Sequence, residues 1–173
     1  VYKRVNLRLE IARTAADLAG ATKIILPGVG AFDHAMELLE ASGMRAPLDE
    51  LVLHKAVPVI GICVGMQILA KSSEEGVRPG LGWIDGRVRW FRSTPRSDAL
   101  PVPHMGWNQL SLKDSWLNPA LDNQNAYFVH SYYVPVNAST SAVTEYITPF
   151  SAAIHRDNFY AVQFHPEKSA ATG

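Results

Sequence analysis

Apolar and polar residues change their rhythm along this chain. In the first half, short apolar runs alternate with stretches of helical spacing. Val5, Leu7, Leu9 and Ile11 alternate with polar neighbours, which predicts a half-exposed strand. Residues 14–20 are short and Ala-rich, enough for one or two helical turns. Lys23-Ile24-Ile25-Leu26 predicts a buried strand, ended by Pro27-Gly28-Val29-Gly30. Between residues 32 and 42, Ala35, Met36, Leu38 and Leu39 fall at helical spacing, and Gly43 stands where a helix C-terminus favours glycine. Leu48, Leu51, Val52 and Leu53 predict a second helix. It leads into a buried strand at residues 57–60, a sharp turn at Gly61-Ile62-Cys63-Val64-Gly65, and a third helix over residues 66–73 closed by Gly76.

The second half reads as strands. Over residues 83–90, Ile84, Val88 and Trp90 alternate around Asp85-Gly86, a turn signal. Residues 93–103 are polar and Pro-rich, hence a loop. Residues 126–136, 142–148, 151–155 and 160–164 predict strands, with Arg156-Asp157-Asn158 as a tight turn joining the last two. The fold class that follows is α/β: a central, mostly parallel sheet with flanking helices, followed by a β-rich second half. In such sheets ligands bind beyond the carboxyl ends of the strands. Both glycine-rich turns lie at such ends and can face one crevice.

Composition changes this picture little. At 173 residues the chain is expected to be a single domain. Its formal net charge is zero, so it has neither a basic field for nucleic acid nor a basic arm for a membrane surface. Its longest mostly apolar run, residues 56–70, is too short to span a bilayer and is broken by Pro58 and two glycines. Its one cysteine allows no internal disulfide and fits a reducing cytoplasm.

That cysteine carries the candidate chemistry. Cys63 sits at the point of the turn with Gly61 and Gly65 two residues to either side, the pattern of a nucleophile elbow with Cys in place of Ser. The last strand ends in Gln163-Phe164-His165-Pro166-Glu167, which can supply an imidazole to take the thiol proton and a carboxylate to hold the ring. His165 and the helix N-terminus at the elbow are expected to favour the thiolate. Backbone N–H groups of Val64 and Gly30 are candidates for an oxyanion site. No metal-ligand spacing is present, and no metal or organic cofactor is expected.

The elbow Gly61-Ile62-Cys63-Val64-Gly65-Met66-Gln67, the loop Pro27-Gly28-Val29-Gly30 and His165-Pro166-Glu167 resemble those of the class I (triad) glutamine amidotransferases, whose fold is flavodoxin-like. Within that class, His104-Met105-Gly106-Trp107-Asn108, Tyr127-Phe128-Val129-His130-Ser131-Tyr132 and Glu167-Lys168-Ser169 resemble the glutaminase subunits of imidazole glycerol phosphate synthases. The resemblance covers essentially the whole chain. It implies Cys63 as nucleophile, His165 as general base and acid, and Glu167 as the orienting carboxylate. It implies Gly28, Gly30 and Val64 for the oxyanion, and Gln67, His130, Ser131 and Tyr132 for the amino-acid end of L-glutamine. Trp107, Tyr127 and Lys168 would lie near a (β/α)8-barrel cyclase subunit, the partner in a heterodimer. There, ammonia would react with a phosphoribosyl-formimino aminoimidazole carboxamide ribotide. The products would be imidazole glycerol phosphate and aminoimidazole carboxamide ribotide, a step of histidine biosynthesis. The family also has a strand before the point where this chain begins and a helix after Gly173, so the chain is expected to lack both. Two further readings stay open: a class I amidotransferase serving another acceptor, and a truncated remnant that binds a partner without turnover. A protease is a weaker reading, because Gln67 and His130-Ser131-Tyr132 suit a small amino acid.

Overall fold

The computed structural model describes residues 9–113, 116–170 and 173. The strand expected at its start falls largely in residues 1–8, outside the described residues. A short 3-10 turn, Ala15–Leu18, leads to strand β1 (Ile24–Gly28). Helix α1 (Phe32–Ala41) buries Phe32, Met36 and Leu39 on one face, and Gly43 follows it with φ 69°. Helix α2 (Arg45–Asp49) continues as a π-helical turn, Glu50–His54. Strand β2 (Val59–Cys63) and the short helix α3 (Val64–Gln67) form the elbow.

Beyond the elbow come β3 (Ser72–Ser73), β4 (Arg87–Trp90), β5 (His104–Gln109), β6 (Ser111–Leu112), β7 (Asn125–His130), β8 (Tyr132–Tyr133), β9 (Thr140–Glu145), β10 (Pro149–Arg156) and β11 (Phe159–Val162). The main sheet has six strands in the order β1-β2-β11-β10-β9-β6. β1, β2 and β11 are parallel, and the strands beyond β11 are antiparallel, so the sheet is mixed rather than mostly parallel. Asp157, at φ 53°, turns the β10–β11 hairpin where the Arg156-Asp157-Asn158 signal predicts it. Smaller sheets join β3, β4 and β8, and β5 with β7.

One expected helix is corrected. The third helix stops at Gln67, far short of residue 73. The carbonyls of Ile68, Leu69 and Ala70 accept instead from the N–H groups of Leu81, Ile84 and Gly82, so a neighbouring loop satisfies them without helix continuation. Within residues 83–90, Trp83 and Ile84 are buried in the core and Arg87–Trp90 is a strand. The His104-Met105-Gly106-Trp107-Asn108 segment is a strand, β5, to which the hydrophobic pattern gave no clear signal.

Two cores result. One surrounds the elbow with Phe32, Met36, Leu48, Val52, Met66 and Leu69. The other is aromatic, built on Phe91, Phe128, Phe150 and Phe164 with Leu110 and Ile147. Ile62, the residue before Cys63, packs against both.

Candidate active site

β2 delivers Cys63 opposite Gly28, the last residue of β1. Cys63 adopts φ 56° and ψ −112°, a backbone conformation that L-residues avoid and that elbows hold under strain. The turn leaves no room beside it. A Cβ at Gly61 would lie 2.6 Å from the Gly65 carbonyl oxygen, and one at Gly65 would lie 1.8 Å from that of Leu26.

Cys63 opens onto a cavity of ≈ 350 Å³ at the carboxyl ends of the parallel strands. From the expected site, Gly30, Val64, Gln67, His130, Ser131, Tyr132, His165 and Lys168 line it with Cys63. Val29, Glu75, Pro103 and Val129 complete the wall. A larger open depression, ≈ 590 Å³ over Asn108, Lys113 and Glu145, lies away from Cys63.

His165 follows β11 and opens the 3-10 turn Pro166–Lys168. This turn brings Glu167 back onto the ring, with Glu167 Oε1 2.8 Å from His165 Nδ1. Partial burial works most strongly against ionisation of Glu167, but its hydrogen bonds with His165 and with its own backbone N–H, together with the nearby His165 and Lys168 charges, outweigh this and hold the carboxyl below its usual range. The other ring nitrogen, Nε2, is buried and has no hydrogen-bond partner among the described residues. An unsatisfied buried imidazole nitrogen in the wall of a thiol-bearing cavity suits a transferable proton.

The groups expected to favour the thiolate do not prevail in the resting site. Burial pushes the Cys63 thiol up to about 11, and the Glu167 charge adds to this. The Val64 N–H and the Gln163 amide act in the opposite direction without prevailing. α3 is a single short turn, so its N-terminus brings little dipole to bear. The thiol is therefore protonated at rest near neutrality.

The expected substrate-binding residues divide. Gln67 spends both amide hydrogens on protein acceptors, the Tyr132 carbonyl at 2.9 Å and Gln163 Oε1 at 3.0 Å. Its carbonyl oxygen is what remains to meet a ligand. The His130 ring is occupied on both nitrogens, by the Tyr132 carbonyl at 2.8 Å and His104 Nδ1 at 3.1 Å. His130 lines the cavity but offers it no free ring nitrogen. Glu75 is a wall residue that the sequence did not mark. Its Oε2 accepts from the Phe32 N–H at 2.8 Å, and partial burial raises its pKa against that bond. In Ser72-Ser73-Glu74-Glu75-Gly76 it looks like an ordinary loop charge, and no local signal distinguishes it.

Gly28 and Gly30 also differ. Gly30 lines the cavity with φ 95°. Gly28 packs behind the elbow, where a Cβ would lie 2.7 Å from the Gly65 nitrogen. Gly28 thus permits close approach, and Gly30 is the better-placed backbone donor. The three expected interface residues form one cluster beside the cavity. Trp107 and Tyr127 meet edge to face at 5.9 Å, and Lys168 Nζ lies 5.6 Å from the Tyr127 ring centre. Met105 and Trp107, 62% and 53% exposed, make this ribbon an apolar surface. Among the described residues, no group of three or more His, Cys, Asp or Glu side chains could hold a metal ion. Nor is any described helix long and apolar enough to cross a membrane.

A strained cysteine elbow at the end of one of three parallel strands, with a His-Glu pair after the neighbouring strand, defines a class, and comparison with known proteins agrees. The family model described as glutamine amidotransferase class-I matches residues 3–173. Solved structures share the fold. One titled as a glutamine amidotransferase aligns with TM-score 0.72 at 18% identity, covering 96% of this chain and 82% of the other. The glutaminase domain of Trypanosoma brucei CTPS with bound acivicin aligns with TM-score 0.69 at 18% identity, covering 99% and 78%. Among sequences, the chain is 54% identical to the imidazole glycerol phosphate synthase subunit HisH of Bdellovibrio bacteriovorus, over 98% of this chain and 85% of that one. It is 46% identical to the subunit of the same name from Leptospira interrogans, over 100% and 87%. The chain belongs to the class-I glutamine amidotransferases and, within them, to the HisH family of imidazole glycerol phosphate synthase subunits.

Proposed function

We propose that this chain is the glutaminase subunit of an imidazole glycerol phosphate synthase, with Cys63, His165 and Glu167 as its triad. The observation that carries the reading is the His165 ring: Nδ1 held by Glu167, and Nε2 buried with no partner among the described residues, in the wall of the cavity that holds Cys63.

Glutamine enters with its α-ammonium toward the Glu75 carboxylate and the Gln67 carbonyl oxygen, and its α-carboxylate toward the backbone of Ser131 and Tyr132. His165 Nε2 takes the Cys63 proton as sulfur attacks the side-chain carbonyl, and Glu167 stabilises the imidazolium. The oxyanion is received by the Val64 and Gly30 N–H groups. His165 returns the proton to the departing nitrogen, the C–N bond breaks and ammonia leaves. Water then attacks the thioester with His165 as base, releasing glutamate and the thiol. The partner is a (β/α)8-barrel synthase subunit seated on Met105, Trp107, Tyr127 and Lys168, which receives the ammonia and uses it to form imidazole glycerol phosphate and aminoimidazole carboxamide ribotide. A reducing cytoplasm suits the free thiol. The thiol's high resting pKa accords with a subunit that is slow until substrate and partner are in place.

The test is glutamate release from glutamine in the presence of the cognate synthase subunit. Cys63→Ala should lose at least about 10⁴-fold in kcat with the fold intact. Glutamate production that survives this substitution would remove Cys63 from its role. Restored growth of a histidine auxotroph separates this acceptor from those of other class-I amidotransferases.

A further inference from the structure

Behind the cavity wall, one continuous set of hydrogen bonds runs from strand β5 to the Cys63 sulfur. Its polarity is fixed by one atom that can only accept, the Tyr132 carbonyl oxygen. Gln67 must present its NH2 group to that oxygen, and the same nitrogen donates to Gln163 Oε1. The Gln163 amide is thereby turned so that its own NH2 faces Cys63 Sγ at 3.7 Å. On the other side, His130 must carry its proton on Nδ1 to donate to the Tyr132 oxygen, which leaves Nε2 as acceptor. His104 therefore donates from Nδ1, and its Nε2 accepts from Asn108 Nδ2 at 3.3 Å. Asn108 Nδ2 is anchored by the Glu145 carbonyl at 2.8 Å. Every donor along this path has one permitted direction as long as both imidazoles are neutral. Burial keeps them so, lowering His104 to about 4 and His130 to about 3.

We propose that His104 and His130 are positioning residues for the nucleophile: through Tyr132 and Gln67 they aim the Gln163 N–H at the Cys63 sulfur and so favour its thiolate. A donor to sulfur gains strength when the sulfur becomes an anion, so the contact acts on deprotonation more than on the resting thiol. The relay begins on β5, whose opposite face carries Met105 and Trp107. His104 and Asn108 thus face inward from a strand that has an exposed apolar side.

The proposal rests on Cys63 being the nucleophile, but its test does not depend on turnover. The rate of Cys63 alkylation by iodoacetamide, followed against pH, gives the apparent thiol pKa. Wild type is compared with His104→Phe, which fills the space without a donor, and with His104→Asn, whose Nδ2 can stand in for Nδ1. His104→Phe should raise the thiol pKa by at least about half a unit and lower kcat about tenfold at little change in KM. His104→Asn should restore both to within about threefold of wild type. Gln163→Met, close in shape and lacking the donor, should reproduce the Phe phenotype and carries the test if His104→Phe does not fold. A folded His104→Phe or Gln163→Met protein with the wild-type alkylation profile would overturn the relay. If alkylation responds as expected but wild type releases no glutamate, the relay stands and the functional assignment falls.

Discussion

The two halves of this molecule position the same site by different means. Around β1, β2 and α3, the backbone does the work: parallel strands in fixed register, a cysteine at φ 56°, and glycines against which no Cβ fits. Around β5, β7 and β10, side chains do it. Phe91, Phe128 and Phe150 enclose the His104 and His130 rings, whose hydrogen bonds lead back to the elbow. The first half fixes where the sulfur is, and the second fixes which polar groups face it. A backbone device tolerates no added atom. A hydrogen-bond device tolerates shape changes but not a change of protonation. Ile62 touches both cores, so an error in either reaches the residue before Cys63.

The most severe way to break the comparison is Gly65→Ala. Its Cβ would lie 1.8 Å from the Leu26 carbonyl oxygen, and backbone lies on both sides of the contact. Neither strand nor elbow can give way without losing the other, so destabilisation of at least about 3 kcal/mol is expected, read as a collapse of the thermal transition. A Gly65→Ala protein melting within a few degrees of wild type would show that the parallel half is softer than its contacts imply.

The second half should fail with acid. Both buried histidines have folded-state pKa values, about 4 and about 3, below the 6.5 of an exposed imidazole. As pH falls, the unfolded chain takes up protons first. The stability that these rings contribute is full above pH 6.5 and is lost progressively toward pH 3, on the order of several kcal/mol for the pair. Urea unfolding at successive pH values should show this slope, and His104→Asn should flatten it. A slope unchanged by His104→Asn would place the acid sensitivity elsewhere.

How much of this was legible in the sequence depends on whether the constraint is local. The elbow, the Gly43 helix end and the Asp157 turn were readable because backbone sterics write themselves into neighbouring residues. Cys63 and His165, which line one cavity, and Glu167, which bonds the His165 ring, were readable as candidate chemistry at strand ends. The early end of α3 was not, because the carbonyls of residues 68–70 are satisfied by a loop more than ten residues further on. Glu75 was hidden for the same reason: only the fold brings its carboxylate to the Phe32 N–H and the cavity. The His104–His130 pair joins residues that look polar in sequence but face an aromatic core, because β5 and β7 pair in register at these positions.

The smallest expected effect locates the strain most sharply. At ordinary positions, replacing alanine by glycine costs about 0.5–1 kcal/mol through chain entropy. At Cys63 the sign should reverse, because φ 56° with ψ −112° penalises any Cβ, and glycine escapes that penalty. Cys63→Ala and Cys63→Gly both remove the sulfur and its contact with Gln163, so their difference isolates the backbone. Cys63→Gly should be the more stable of the two by about 1 kcal/mol, seen as a higher urea midpoint at equal m-value. At His104, where the backbone is ordinary strand, the same pair should order the other way, with glycine the weaker. Matching signs at both positions would mean that the elbow carries no strain beyond that of any strand end, and the division between a backbone-built half and a side-chain-built half would not hold.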